Sequence, residues 1–250
     1  MLYTRKCGEI ENTDFGSEQT LCGWLQDTRN LGGIAFLQLR DITGVIQLTL
    51  LKKKLDAADF KKWTSINRES IILVRGIIKE NKEAPGGVEM LPDNLEILNE
   101  AETPLPLGVI DKIDSEIETR LNARYLDLRK KSIAANFQIR AAVSGAVHKH
   151  LRKENFLEVQ TPKIIASATE GGTSLFEMKY FDKTAYLAQS PQLYKQMLMS
   201  GGLERVYEIG PAFRAEEHNT PRHLNEFISI DIEMSFADDD VVMGVMERLV

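Results

Sequence analysis

Between Thr20 and Glu100 apolar and polar residues alternate in short runs broken by glycine-bearing turns, and no other feature narrows the possible folds as much. The runs are Thr20–Thr28, Ile34–Asp41, Val45–Leu51, Ile71–Glu80 and Val88–Asn99, with a helical stretch at Leu55–Thr64. A period of two sends every second side chain to one face, so each run reads as a strand with one side on a core. Gly32-Gly33, Thr43-Gly44 and Pro85-Gly86-Gly87 stand between the runs, where the backbone must reverse. Five strands of this length predict a small closed barrel.

Thr103-Pro104-Leu105-Pro106 marks a linker, and from Ser132 the period changes. Phe137, Ala141, Ser144, Val147 and Leu151 fall at helical spacing, with Ser132 placed to cap. A strand at Phe156–Thr161 ends at Pro162; a glycine-containing loop, a hairpin, a short helix and two further strands follow. Asp238–Val250 reads as an amphipathic helix with no stop signal. The expected organisation is a multidomain α+β chain: a barrel over residues 1–102, a hinge over 103–131, and a truncated α+β domain over 132–250.

Length and a hydrophobic content of 43% are enough for two cores. No run approaches the ~20 apolar residues of a membrane span, and Met1–Ile10 lacks the pattern of a signal peptide, so a soluble cytoplasmic protein is expected. Cys7 and Cys22 stand alone, which argues against a disulfide framework or a structural zinc site and for inert thiols. The charge balance is −3 before Leu105 (13 basic, 16 acidic) and −3 after it (18 basic, 21 acidic), so bulk charge does not advertise nucleic acid. A polyanionic ligand would have to be held by local groups.

The barrel offers such groups. In Ile34–Asp41 the pleat puts Leu37 and Leu39 on one face and Phe36, Gln38 and Arg40 on the other; in the next strand Gln47 and Thr49 face outward. A ring, amides and a guanidinium suit unstacked bases, although Phe36 could equally pack under a loop. The Lys52-Lys53-Lys54 run reads as a solvated loop.

The second half holds three constellations. Ser190-Pro191-Gln192-Leu193-Tyr194-Lys195 opens a helix, Gly201-Gly202 stops it, and Gln192 and Lys195 share a face. In Pro211–Glu216, Arg214 and Glu216 share one side and Phe213 and Ala215 the other; in Phe227–Phe236, Ile228, Ile230, Ile232 and Met234 oppose Ser229, Asp231 and Glu233. Those polar faces could line a cleft, yet an ordinary half-exposed antiparallel sheet alternates the same way. Glu170-Gly171-Gly172 is a carboxylate on a flexible loop.

Taken in order, these features resemble the class II aminoacyl-tRNA synthetases, and within them the archaeal and eukaryotic aspartyl type. Gly23-Trp24, Leu31-Gly32-Gly33, Phe36, Leu39-Arg40-Asp41 and Gly44-Val45-Ile46-Gln47 are similar to the anticodon-binding OB-fold barrel of the aspartyl, asparaginyl and lysyl members. Pro162 resembles motif 1, and Phe213-Arg214-Ala215-Glu216 with the loop to His223 and the returning strand resembles motif 2. The stretches 169–176, 189–196 and 213–226 carry the aspartyl likeness.

The resemblance implies ATP-dependent activation of L-aspartate to aspartyl-adenylate and its transfer to the 3′ end of tRNA. It implies that Arg214 holds the α-phosphate and the reacting carboxylate, that Glu216 accepts from the adenine amino group, that Arg222 and His223 contact the ATP phosphates, and that Ala215 and Leu224 belong to the same ATP site. Glu170, Gln192 and Asp231 would hold the substrate ammonium beside Leu193 and Tyr194, and Lys195 would pair with its side-chain carboxylate. A cation there selects aspartate over asparagine, which would leave the charge uncompensated. On the barrel Arg29, Phe36 and Gln47 would meet the anticodon; Pro85 and Gln26, where strict relatives carry Lys and Trp, imply charging of tRNA-Asn as well as tRNA-Asp. Pro162 would sit at a homodimer interface. The third family motif and its Mg²⁺ ligands do not occur before Val250, so they are expected beyond it, and the fragment alone is expected to be inactive. Two alternatives remain open: a non-catalytic tRNA-binding or dimerising module, and an asparagine-forming paralogue.

Overall fold

The computed structural model describes residues 2–110, 114–166, 175–217, 220 and 223–250. They form two compact units, Met1–Gly108 and Val109–Val250.

The first unit is the expected barrel. Strands β1 (Glu18–Asn30), β2 (Ile34–Arg40), β3 (Val45–Leu51), β4 (Ile71–Glu80) and β5 (Val88–Asn99) close in the order β1-β2-β3-β5-β4, with helix α1 (Ala57–Thr64) between β3 and β4. Closure needs β3 to run parallel to β5 while the other neighbours are antiparallel. Inward residues such as Leu37, Leu39, Ile46, Leu48 and Met90 are fully buried, as the period-two pattern requires, and Phe60 and Trp63 of α1 join the same core. Asp41 ties the chain ahead of the barrel to the β2–β3 turn: its carboxylate accepts from the Cys7 N–H (2.7 Å) and from the Thr43 and Gly44 N–H groups. Burial alone would raise the Asp41 pKa, but these bonds and the one from the Thr43 hydroxyl outweigh it and hold the carboxyl below its usual value. Burial, then the Asp41 charge, pushes the Cys7 thiol far up, so that cysteine is inert.

The second unit starts inside the stretch read as hinge, which carries two short helices, α2 (Ile117–Asn122) and α3 (Arg124–Asp127). They are organised by charge: the fully buried Asp127 meets Arg120 Nε at 3.0 Å, pairs with Arg124 and lies 3.8 Å from Lys130 Nζ. Hydrogen bonding to Arg120, and then to Arg124, holds the Asp127 carboxyl below its ordinary pKa.

Helix α4 (Lys131–Lys153) opens one residue before Ser132, which therefore lies in the first turn rather than at the cap. Of the predicted face, Val147 and Leu151 are buried with Phe156, Tyr207 and Val245, whereas Phe137 is 50% exposed. Strand β6 is shorter than expected, Leu157–Glu158 rather than Phe156–Thr161. Past Val159 the backbone leaves the ladder, because the Thr161 N–H donates to the Glu208 side chain instead of to a strand. Strand β7 (Ile164–Ile165) joins the hairpin β8 (Glu177–Tyr180) and β9 (Lys183–Leu187) in a separate sheet of order β7-β9-β8. Helix α5 (Gln192–Ser200) follows, then β10 (Arg205–Phe213), β11 (Glu226–Met234) and α6 (Asp239–Leu249), which is capped by the Asp238 carboxylate. β10 and β11 pair antiparallel over their whole length, with β6 parallel beside β10. Among the described residues no helix is long and apolar enough to cross a membrane.

Candidate active site and nucleic-acid interface

Antiparallel register sorts the residues of β10 and β11 onto two faces. Tyr207, Ile209, Ile232 and Met234 pack with α4 and α6, so the other face, with Glu208 opposite Asp231 and Gly210 opposite Ser229, is turned away from that core. Two carboxylates directly opposite each other repel unless cations intervene. Lys163 Nζ lies 2.8 Å from Glu208, which also accepts from the Thr161 hydroxyl at 2.7 Å. Lys195 Nζ lies 3.6 Å from Asp231, 3.3 Å from Glu233 and 3.1 Å from the Ile232 carbonyl.

Helix α5 delivers Lys195. The Ser190 hydroxyl accepts from the Gln192 N–H at 3.0 Å, and the helix ends at Gly201-Gly202, where Gly202 takes φ +91°. Gln192 and Lys195, three residues apart, both reach Glu233; Gln192 Nε2 donates to it at 3.2 Å. Lys195 is 2% exposed, while Leu193 on the same helix is exposed and Tyr194 half-buried.

Arg214 stands over the same face of β11, with its guanidinium carbon 5.3 Å from the centre of the Phe227 ring. Phe227 and Asp231 are four residues apart on one strand, so the Arg214 and Lys195 cations serve one surface. The expected strand over Pro211–Glu216 stops at Phe213, so Arg214, Ala215 and Glu216 are not set by pleat alternation. Asn225 holds them instead: its carbonyl accepts from the Arg214 N–H at 2.9 Å and its side chain from the Glu216 N–H at 3.0 Å. His223 and Leu224 are exposed, and the His223 ring lies 2.7 Å from the Thr220 hydroxyl. Glu170 and Arg222 lie outside the described residues. Pro162 is exposed, next to Lys163. Glu208, Lys163 and Asn225 escaped the sequence reading, whereas Glu233 stood already on the polar strand face with Asp231, though without a role.

On the barrel the outward faces of β2 and β3 form a groove of about 780 Å³ whose lining includes Arg29, Phe36, Gln38, Gln47 and Glu89. Thr49, expected outward, faces the groove but is covered, because its hydroxyl donates to Glu89 at 2.6 Å. Glu89 also accepts from Asn81 Nδ2 at 2.9 Å. Gln26 is the extra residue of a bulge in β1, since Leu25 pairs with Leu39 and Asp27 with Gln38. Pro85 is exposed in the β4–β5 turn, where Gly86 and Gly87 take φ +77°.

The chain matches two family models: tRNA synthetases class II (D, K and N) over residues 116–250, which hold the acidic and cationic cleft, and an OB-fold nucleic acid binding domain over 19–98, which hold the barrel groove. The chain belongs to the class II tRNA synthetase family. Among its relatives, the Aspartate--tRNA(Asp/Asn) ligase of Methanopyrus kandleri is 56% identical over 94% of this chain and 54% of its own length. The Aspartate--tRNA(Asp) ligase of Pyrococcus abyssi is 49% identical over 100% of this chain and 57% of its own. The crystal structure of asparaginyl-tRNA synthetase from Pyrococcus horikoshii complexed with asparaginyl-adenylate superposes with a TM-score of 0.93 at 34% identity, covering 100% of this chain and 57% of that one. The chain thus spans about half the length of the curated relatives it matches.

Proposed function

We propose that the chain is the anticodon-reading and first catalytic part of an aspartate–tRNA ligase that activates L-aspartate with ATP and charges tRNA-Asp and tRNA-Asn. The observation that carries this reading is the buried Lys195 ammonium on the face of β11 that also carries Arg214. Asp231 and Glu233 balance that ammonium in the structure; with Asp231 engaged by the substrate ammonium, a second carboxylate of the amino acid restores the counter-charge, whereas a neutral amide does not. Relatives named as aspartate ligases, at up to 56% identity, support the same choice.

In this reading Asp231, Gln192 and Glu170 take the substrate ammonium, with Leu193 and Tyr194 of the same helix beside it. Lys195 takes the side-chain carboxylate. Arg214 grips the α-phosphate and the attacking carboxylate, since a guanidinium fork suits such oxygens. Glu216 accepts from the adenine amino group, Arg222 and His223 approach the phosphates, and Ala215 and Leu224 complete the ATP site. The carboxylate oxygen attacks the α-phosphorus, the bond to the bridging oxygen of pyrophosphate breaks, and no protein nucleophile is required; alignment and charge stabilisation suffice. Among the described residues no group of three or more His, Cys, Asp or Glu could hold a metal, and the cleft carboxylates Glu208, Asp231 and Glu233 each face a lysine. Mg²⁺ therefore receives no step through these residues.

Arg29, Phe36 and Gln47 read the anticodon on the barrel groove. Gln26 and Pro85 leave the third anticodon base loosely read; the relative named for tRNA(Asp) alone is nearly as similar as the one named for both, so overall identity does not decide this. A homodimer is supported by Ile139 and Val143, one turn apart on α4 and each more than half exposed, and by the exposed Pro162. The test uses the full-length protein. Aspartate-dependent pyrophosphate exchange is expected, with asparagine and glutamate inert, followed by charging of both tRNAs; exchange driven by asparagine would refute the substrate assignment, and failure to charge tRNA-Asn would end the relaxed reading.

A further inference from the structure

Arg40 stands at the end of β2 and does not line the barrel groove, yet it fixes what one groove residue can offer a ligand. Glu69, whose side chain is fully buried, anchors the guanidinium through Arg40 Nη2 at 2.8 Å. Arg40 Nη1 donates to Gln26 Oε1 at 3.3 Å, and Gln26 Nε2 donates to Gln38 Oε1 at 3.2 Å. A side-chain amide can usually be turned end for end, because oxygen and nitrogen have nearly the same shape. Here the ambiguity is removed. A guanidinium has N–H donors and no acceptor, so the Gln26 oxygen must face it. The Gln26 amide nitrogen then faces Gln38, which must answer with its oxygen. The Gln38 NH₂ is left over, without a partner among the described residues, on a side chain that lines the groove.

Directly across the strand pair, Gln47 carries the opposite polarity. Its Nε2 donates to the Thr49 hydroxyl at 3.3 Å and to Glu89 at 3.4 Å, and Thr49 spends its own proton on Glu89, so the Gln47 oxygen is turned away from them. Adjacent amides thus present one donor and one acceptor beside the Phe36 ring.

We propose that Gln38 is a specificity-determining residue of this interface, donating its amide N–H to an acceptor on one unstacked base, and that Gln26, Arg40 and Glu69 are positioning residues that fix its polarity. The inference rests on reading the groove as the anticodon interface. It is tested on the full chain by fluorescence anisotropy with a synthetic stem-loop RNA carrying the aspartate anticodon, and with three further stem-loops in which each anticodon base is replaced in turn. Gln38→Met is expected to weaken binding of the parent stem-loop about tenfold and to flatten selectivity at one anticodon position only. Gln38→Glu, which keeps the shape and removes the donors, is expected to flatten the same position. Gln26→Met cuts the relay without altering the groove residue, and is expected to give the same position-selective flattening with a loss of about threefold. Arg40→Lys retains a donor-only cation and is expected to retain the selectivity. A uniform loss across all three positions, or none, for both Gln38 variants overturns the proposal. Phe36→Ala separates the two readings: if it weakens binding while the Gln38 variants do not, the groove reading stands and this inference alone falls; if it too has no effect, the groove reading falls as well.

Discussion

Lys195 carries more of the functional argument than any other side chain, and its setting illustrates the energetics involved. Removing an ammonium from water costs several kcal/mol, which the Coulomb attraction of Asp231 and Glu233 and the bond to the Ile232 carbonyl offset. Breaking such a group by truncation costs about 3–5 kcal/mol, because the opposite charges stay behind unpaired. Lys195→Met in the full-length protein is therefore expected to lower aspartate-dependent pyrophosphate exchange roughly 10²–10⁴-fold. Exchange within a few-fold of the parent, in a variant whose melting curve shows it folded, would contradict the assignment. The position of Lys195 on a helix face with Gln192 was legible from their spacing of three; its contact with Glu233 was not, because 38 residues separate them and only the register of β11 against α5 joins them.

At the scale of the element, local pattern carried far. β3, β4 and β5 have the boundaries that their alternation and flanking turns indicate, and β1 and β2 differ by a residue or two at their ends. The exceptions have tertiary causes: β6 is cut short by the Glu208 side chain, and Arg214–Glu216 is held by Asn225 rather than by a ladder. Gly76 is fixed by strand packing. A Cβ built on Gly76 would lie 2.3 Å from the Leu91 carbonyl oxygen, at an irregularity in the β4–β5 register between Arg75 and Gly76. Backbone cannot yield as a flexible side chain can, so Gly76→Ala is expected to destabilise the barrel by about 1–3 kcal/mol. Denaturant unfolding followed by tryptophan fluorescence, with Trp63 in the barrel core, reads this directly; an unchanged midpoint would show that the strands separate there at little cost.

Across the whole molecule, the buried carboxyl of Asp127 makes the second unit sensitive to acid. Its folded pKa is depressed, chiefly by hydrogen bonding to Arg120, so its contribution is fully present above the ordinary aspartate value near ~3.9 and is lost as pH falls through the folded value. Stability of the second unit is expected to fall below about pH 4, with Asp127→Asn lower at neutral pH and flatter on the acid side. Thermal melting from pH 7 to pH 3 checks this; a parallel acid limb in the variant would assign the effect to other carboxylates. The sequence by itself determined the barrel, the change of period at the second domain, the capped helix bearing Lys195 and the polar face of β11, because periodicity, turn residues and caps act within a few residues of chain. Only the tertiary structure decided which carboxylates stand against Lys195, which cations gather on Asp127, and which end of the Gln38 amide faces the groove. Those outcomes depend on what lies opposite, across a sheet or a helix packing, and a pattern along one strand reports the face a side chain occupies but not the partner it meets there.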